Sequence, residues 1–539
     1  MCDMQILKTI AVFVLFSFLP PCNALVAAKP DTKPNILVIM TDQQAWDAVG
    51  YSGNQIIKTP HMDRLAREGV NFSHAITPCA VCVPARVSIL TGRLTETTKI
   101  RENGDAKGED SFCYYPSFDD ILDNIGYRTE YYGKFHAPKH MATVYENPGT
   151  DSVSGFDQII NWEPLYVDFV RNKYKDIPRQ PGELYEETFY GGTITYKVDP
   201  PDICYKYMSS GKIPSTELIR KIGKGQGDIH GVLNLPAEDT ITAIQGKQAL
   251  EALDRLKDER FILTVSFHCP HVPITPSEPY ASMYKAEDMP PPVSIRDKRS
   301  NSPYYKGRAR PPYDDMEKVK YMIANYYAFV TEIDDWIGKL LDKLDIYGLT
   351  KNTLVVFVSD HGEMLGAHGM RGKFNFYEES VRVPLVIRYP KKIKAGQTIS
   401  TPVSVLNIFP TIMDYAGLPS VPTDGYSLRG VMEGTETPKY DFAVSEWQWT
   451  RESVPSIMIR TDKWKLMTTH RRGGQNVEVL FDLENDPHEM NNLLGTNPER
   501  FKYRERAEIL RSKLVSYLQH VNYPLTEEIE QREIIRKDH

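Results

Sequence analysis

The sequence predicts an α/β protein: a large, mostly parallel sheet sandwiched by helices, with a smaller C-terminal α+β subdomain built on an antiparallel sheet. Three observations predict it. The unbroken apolar runs PNILVIM from Pro34, FILTVSF from Phe261 and LVVFVS from Leu354 have the composition of strands covered on both faces. Amphipathic helical patterns fill the intervals. After residue 430 the pattern changes to FAVSEWQW, IMIRTDKWKLM and EVLFDL, which read as antiparallel strands, followed by a charged amphipathic helix near residues 502–520.

Taken in order, the chain opens with a lysine and an apolar run from Thr9 to Leu19, then small residues up to Ala28. This is the layout of a secretory signal peptide, assigned to residues 1–28. A lipoprotein signal ending at Cys22 is disfavoured by the two prolines before it. Residues 29–430 form the main domain and residues 431–539 the C-terminal subdomain. Within the main domain, TPHMDRLAREG reads as a helix closed by Gly69 ahead of the strand VNFSHAI. Val330, Ile333, Ile337, Leu340, Leu341 and Leu344 mark a second helix. Its Asp334 and Asp335 are adjacent and so point in different directions, which makes them structural rather than a catalytic pair. Two irregular stretches, residues 140–235 and 272–315, are rich in aromatic and basic residues and are assigned to a substrate-facing rim. No repeat interrupts the pattern, and no later stretch is apolar enough to cross a membrane.

A net charge of −7 over 539 residues, with a pI near 6.1, supplies no basic excess for a nucleic-acid partner. It leaves room for an anionic substrate met by a local cluster of Lys, Arg and His. Two of the seven cysteines fall in the leader, leaving Cys79, Cys82, Cys113, Cys204 and Cys269. An odd number in an exported chain leaves one thiol unpaired or chemically changed, and spacing alone assigns no pairing.

Each apolar run ends abruptly in polar residues: Asp42 and Gln43, then His268 and His271, then Asp360 and His361. In parallel α/β sheets ligands bind beyond the carboxyl ends of strands, so these ends converge on one site. Asp42 and Asp360, with His361, are the candidate metal ligands. Lys134 and His136 follow the strand-like YRTEYY two residues apart, so an extended backbone aims both at one face.

The stretch CAVCVPARVSILTGR, residues 79–93, has the CxxC spacing of a zinc clip or a dithiol, but neither accounts for Pro84, Arg86, Gly92 or Arg93. Pro84 suits the first turn of a helix that runs to Leu90 and stops at Gly92. Residue 82 then sits at a helix N-terminus, where backbone N–H groups and the dipole favour an anion and also stabilise a thiolate. Arg86, one turn on, reaches back towards the carboxylates; its plain alternative is a surface ion pair.

CVPARVSILTGR resembles the CxPxR signature of the formylglycine-dependent sulfatases of the alkaline phosphatase superfamily. The resemblance continues through NILVIMTDQ, GKFH at 133–136, PHVP at 270–273, SDHGEMLGAHGMRGK at 359–373 and FDLENDPHEMNNL. It implies an alkaline phosphatase-like fold and hydrolysis of a sulfate monoester. Cys82 is then oxidised to formylglycine by a formylglycine-generating or anaerobic sulfatase-maturating enzyme, and the aldehyde hydrate is the nucleophile. The resemblance gives catalytic roles to Cys82, Arg86, Lys134, His136, His271 and Lys373. It gives metal roles to Asp42, Gln43, Cys82, Asp360 and His361, with Ca2+ favoured over Mg2+ or Mn2+. Gln43 and His361 depart from the commonest ligand set and resemble the choline sulfatase and phosphonate monoester hydrolase branch; Gln43 is either a direct ligand or a partner of one. His268 is read as packing, His368 as a substrate contact or a supporting group, and His488 as structural. The expected substrate is a sulfated carbohydrate such as the algal polysaccharide ulvan, met in the periplasm or outside the cell. The alternatives are a phosphonate monoester or phosphodiester hydrolase, or a silent carbohydrate-binding member in which residue 82 is never converted.

Overall fold

The computed structural model describes residues 33–106, 111–145, 236–272, 274–304, 316–419, 421–448, 455–468 and 478–534, together with Lys173 and four short strands between residues 184 and 233. The expected leader, Cys204 and most of the 140–235 stretch lie outside the described residues, as do residues 305–315 of the second irregular stretch.

The first apolar run forms β1 (Asn35–Thr41), every residue of it buried. Next come α1 (Pro60–Glu68), β2 (Val70–Phe72), α2 (Cys82–Thr91), β3 (Arg128–Gly133), α3 (Ile241–Leu256) and β4 (Phe261–Phe267). The long α4 (Met316–Ile346) leads to β5 (Thr353–Ser359), β6 (Leu385–Arg388) and β7 (Gln397–Ile399). These strands make one seven-stranded sheet in the order β7-β2-β6-β5-β1-β4-β3. β1 pairs in parallel with both β5 and β4, and only β6 runs against its neighbours.

Why β1, β4 and β5 read as unbroken apolar runs is visible in their two faces. Leu37 and Ile39 join Leu263, Val265, Val355 and Phe357 against α1, α3 and α4, burying Met62, Leu253, Trp336 and Ile337. Ile36, Val38 and Met40, on the other face, pack with Leu354, Val356 and Val358 against Val83 and Val87 of α2 and Phe409. With apolar partners on both sides, alternation has no polar phase to show. Asp334 and Asp335 of α4 are structural, as expected. The Asp334 carboxylate accepts from His61 N at 3.0 Å and Met62 N at 2.6 Å, capping the head of α1, and Asp335 accepts from the Tyr280 hydroxyl.

The C-terminal sheet holds β8 (Phe442–Trp447), β9 (Ser456–Thr461), β10 (Trp464–Thr468) and β11 (Val479–Asp482), all antiparallel, with α5 (Arg504–His520) packed on it. The run IMIRTDKWKLM, read from sequence as a single strand, is a hairpin. Thr461 Oγ1 accepts from Trp464 N at 3.0 Å and closes the turn between β9 and β10.

A buried ionic tie joins this sheet to the segment around Glu378. Lys465, on β10 and wholly buried, lies 2.8 Å from Glu378 and 2.6 Å from Glu489, and its Nζ also donates to Phe376 O at 2.9 Å. Arg460 adds a second contact to Glu378. In the NDPHEM run the buried tie is therefore Glu489; His488 itself is exposed. Removing one partner of such a cluster leaves uncompensated buried charge. Lys465→Met is accordingly expected to cost about 3–5 kcal/mol of stability, read from urea denaturation; a loss below about 1 kcal/mol, of the order of an exposed pair, would show the tie to be dispensable.

Candidate active site

The three central strand ends meet as the sequence predicts. Asp42 follows β1, Asp360 and His361 follow β5, and His268 and His271 follow β4, all buried. Asp360 N donates to Thr41 O at 3.2 Å, which ties the first two turns together. Asp360 Oδ1 accepts from His361 N at 2.8 Å and Gln43 N at 3.1 Å, and Gln43 adopts a left-handed φ of 66° to reach it.

The segment carrying residue 82 behaves as expected in its helix and differently at its head. α2 begins at Cys82 behind an extended Val81 and ends at Gly92, whose φ of 67° lets its N–H reach Ser88 O at 2.8 Å. The anticipated array of open N–H donors is reduced, however. Val83 N donates to Asn103 Oδ1 at 3.1 Å, and Pro84 has no N–H to offer. Positive charge near residue 82 therefore comes chiefly from side chains.

Arg86, one turn into α2, is buried and fully engaged. Its Nε donates to Asp360 Oδ2 at 2.8 Å and its Nη2 to Asp42 Oδ2 at 3.0 Å, while Nη1 donates to Lys134 O and to Ser266 Oγ. The surface-ion-pair alternative is excluded. Lys134 Nζ lies 2.6 Å from the same Asp42 Oδ2. Burial disfavours the Asp42 charge, but Lys134, His271, Arg86 and Lys373 outweigh it and hold the carboxyl well below its usual range.

Lys134 and His136 reach this site by another route than the sequence suggested. β3 ends at Gly133 with φ 90°, and His136 has φ 50°, so the backbone turns rather than alternating. A Cβ on Gly133 would lie 2.0 Å from Ser266 O, so only glycine admits the close approach that sets Lys134 N 2.9 Å from the same oxygen. Burial first, then Lys134 and Arg86, hold His136 well below the ordinary imidazole range.

Cys82 Sγ lies 3.2 Å from His361 Nε2 and 3.2 Å from Lys373 Nζ. Burial and Asp42 push the thiol up; Lys373, Lys134 and His361 pull it down, and it settles at about 7. His271 has Nδ1 2.8 Å from Val272 O and Nε2 4.0 Å from Asp42 Oδ1. Burial, Lys373 and Lys134 keep its pKa well below the ordinary value. The His268 ring sits 5.0 Å from that of His271, at the site rather than apart from it. The His368 ring stacks on Tyr377 and its Nδ1 meets Asp297 at 2.8 Å. Cys79, Cys113 and Cys269 are buried free thiols.

Asp42, Cys82, Asp360 and His361 offer ligand atoms that all lie within 4.8 Å of one another. Asp42 Oδ1 is buried and accepts no hydrogen bond among the described residues. The Nδ1 of His361 is 3.0 Å from Gly362 O, which sets the proton there and turns the Nε2 lone pair towards Asp360 Oδ1 at 3.6 Å and Asp42 Oδ1 at 3.9 Å. This donor set, two carboxylates and one imidazole, fits a divalent cation. Beside this group, Gln43 Oε1 accepts from Lys373 Nζ and Nε2 donates to Glu363. Glu363, Ser266 and Asn103 were not singled out by sequence reasoning, although Glu363 lies only two residues beyond His361 in DHGE.

Residues 34–418 match the family model described as Sulfatase, and residues 366–519 match one described as N-sulphoglucosamine sulphohydrolase, C-terminal. The chain is 31% identical over 508 residues to an arylsulfatase of Clostridium perfringens, covering 90% of this chain and 95% of that one. It is also 31% identical over 474 residues to an ulvan-active sulfatase of Formosa agariphila, covering 86% and 78%. In fold it resembles the phosphonate monoester hydrolase of Agrobacterium radiobacter, with a TM-score of 0.69 at 23% identity over 91% of this chain and 96% of that one.

The contact at Gly133 is open to a direct test. Gly133→Ala is expected to lower stability by about 1–3 kcal/mol from the left-handed backbone alone and to lower kcat, because Lys134 is displaced. Unchanged denaturation and turnover would show that the strand end adapts.

Proposed function

The chain belongs to the sulfatase family and is a sulfuric ester hydrolase, and on that premise we propose that it is a formylglycine enzyme acting on sulfate esters of carbohydrate. The observation that carries the proposal is the setting of Cys82: a buried side chain at the head of α2, 3.2 Å from both Lys373 Nζ and His361 Nε2 and beside the carboxylates of Asp42 and Asp360. A cysteine of purely packing function has no need of that company.

Asp42, Asp360 and His361 would hold a divalent cation, with Ca2+ the preferred ion for a site led by carboxylates. A cation held there would screen the ester oxygens, and a residue-82 aldehyde hydrate would supply the attacking hydroxyl. Arg86 bridges the two carboxylates and holds them in place. Lys134 and Lys373 supply two cations to receive the sulfate oxygens, while His271 holds the proton for the departing alcohol at Nε2 and His136 takes one up when sulfate leaves. Both imidazoles are held low in pKa by burial and lysine neighbours, so the negative charge of the substrate is what favours their protonation.

The carbohydrate reading is supported by the aromatic and basic composition of residues 140–235 and 272–315, since aromatic rings stack on sugar faces and Lys and Arg meet neighbouring anions. Phe374, 43% exposed directly beside Lys373, offers one such ring. Ulvan is the named candidate, in line with the activity of the Formosa agariphila relative. The leader composition supports an exported enzyme that depends on a maturation enzyme for residue 82. Among the described residues no helix is long and apolar enough to cross a membrane. Gln43 and His361 keep a phosphonate or phosphodiester substrate as the second reading.

Cys82→Ala is expected to lower turnover of 4-nitrophenyl sulfate by at least about 10³-fold with an unchanged melting temperature, and near-wild-type turnover would end the proposal. Peptide mass mapping of natively produced protein should find residue 82 as an aldehyde or its hydrate; an unmodified thiol there supports the silent binding protein instead. Chelation should abolish turnover and Ca2+ restore it. In a comparison of aryl sulfate, phosphonate monoester and phosphodiester, the sulfate should give the highest kcat/KM.

A further inference from the structure

Phe374 follows Lys373 directly and stands in a backbone conformation that its side chain disfavours. Its φ of 73° lies in the left-handed region, where a bulky residue is an outlier and glycine the ordinary occupant. Two residues earlier the same segment makes a left-handed turn with glycine, Gly372 at φ 67°, where an added Cβ would meet nothing within 4 Å. Glycine is thus used where a side chain would fit, and phenylalanine where the backbone would prefer none. Strain of that kind persists only where the surroundings hold it, and it gathers at ligand sites.

Burial is not what the ring gains there. Phe374 is 43% exposed, while Lys373 and Asn375 on either side of it are buried. One side of the ring is backed: its centroid lies 6.1 Å from that of Trp447, the last residue of β8, at an interplanar angle of 45°. Trp447 is itself buried, in a cluster with Cys79, Ala80 and Val81, the three residues that lead into Cys82. Phe374 N donates to Ala80 O at 3.3 Å, so the backbone is moored to the same lead-in segment as the ring behind it. The result is a flat apolar face, fixed from behind, exposed in front and anchored two positions before residue 82.

We infer that Phe374, backed by Trp447, is the platform on which the ring bearing the ester lies when its sulfate enters the site. The C–H face of a sugar, or the face of an aryl group, covers such a surface, whereas a bare oxyanion has no face to offer. Phe374 then selects esters of ring alcohols, a preference separate from the cations that receive the sulfate. The inference rests on the sulfate ester hydrolase reading.

Phe374→Gly removes the ring and relieves the backbone in one step. With matured protein, kcat/KM for 4-nitrophenyl sulfate, and for each sulfated oligosaccharide that the wild type cleaves, is expected to fall about 3- to 20-fold, the effect of one lost aromatic face. The melting temperature should be at or above that of wild type, because glycine accepts the left-handed turn. Inorganic sulfate, used as a competitive inhibitor, probes the anion pocket with no ring attached, and its Ki should keep the wild-type value. Phe374→Leu, which retains apolar bulk without a flat face, should lose as much as Phe374→Gly, and Phe374→Tyr should stay near wild type. Wild-type kcat/KM in Phe374→Gly overturns the inference, and so does wild-type kcat/KM in Phe374→Leu, since apolar bulk would then suffice. A rise in the Ki of inorganic sulfate that matches the loss in kcat/KM also overturns it, because the substitution would then have displaced Lys373 rather than removed a platform. If Phe374→Gly melts early, the other two variants carry the comparison: loss in Phe374→Leu with retention in Phe374→Tyr supports the inference, and equal activity in the two overturns it. Wild-type protein that leaves every sulfate ester intact defeats the hydrolase reading itself, a result distinct from an active wild type indifferent to residue 374.

Discussion

The buried guanidinium of Arg86 is the interaction on which the rest of the site depends. Asp42 and Asp360 end adjacent parallel strands, both wholly buried, and two carboxylates so placed repel strongly at low effective dielectric. Arg86 spans them at 3.0 and 2.8 Å and uses its remaining donors on the Lys134 carbonyl and Ser266, which belong to the next two strands across. One planar fork therefore holds the ends of four neighbouring strands in register at the point where chemistry is required. Lysine, with a single point charge, has no equivalent geometry.

Around that bridge the charges are graded. Arg86 and Lys134 answer the two carboxylates, and Lys373 stands beyond them at residue 82. A local positive excess is what an anionic ester needs on arrival, and it is created without any basic surplus in the chain as a whole, whose net charge is −7. Because Asn103 and Pro84 occupy or remove donors at the head of α2, recognition of the anion falls to side chains. The helix still contributes its dipole.

How much of this was legible in the sequence follows from how local each feature is. β1, β4 and β5 were readable because burial on both faces writes itself as an uninterrupted apolar run, and the residues that end those runs are the site. Cys82 and Arg86 were readable because one helical turn fixes their relation. Features that depend on two distant segments left no such mark. The left-handed turns at Gly133 and His136 put Lys134 and His136 in place where strand alternation suggested another path. The hairpin at Thr461 was missed within a stretch read as one strand, and the Lys465 tie joins residues far apart in the chain. Glu363 sat in plain view within DHGE, but its contact with Gln43 joins residues more than three hundred positions apart.

The Lys465 tie also bears on how this chain can change over generations. Glu378 lies five residues after Lys373, so the segment that sets Lys373 beside Cys82 is moored to a strand of the C-terminal sheet. A recombination event near residue 430 would exchange that mooring as well as the sheet. A sheet taken from another chain would therefore have to place a cation where Lys465 stands if the segment after Lys373 is to keep its anchor.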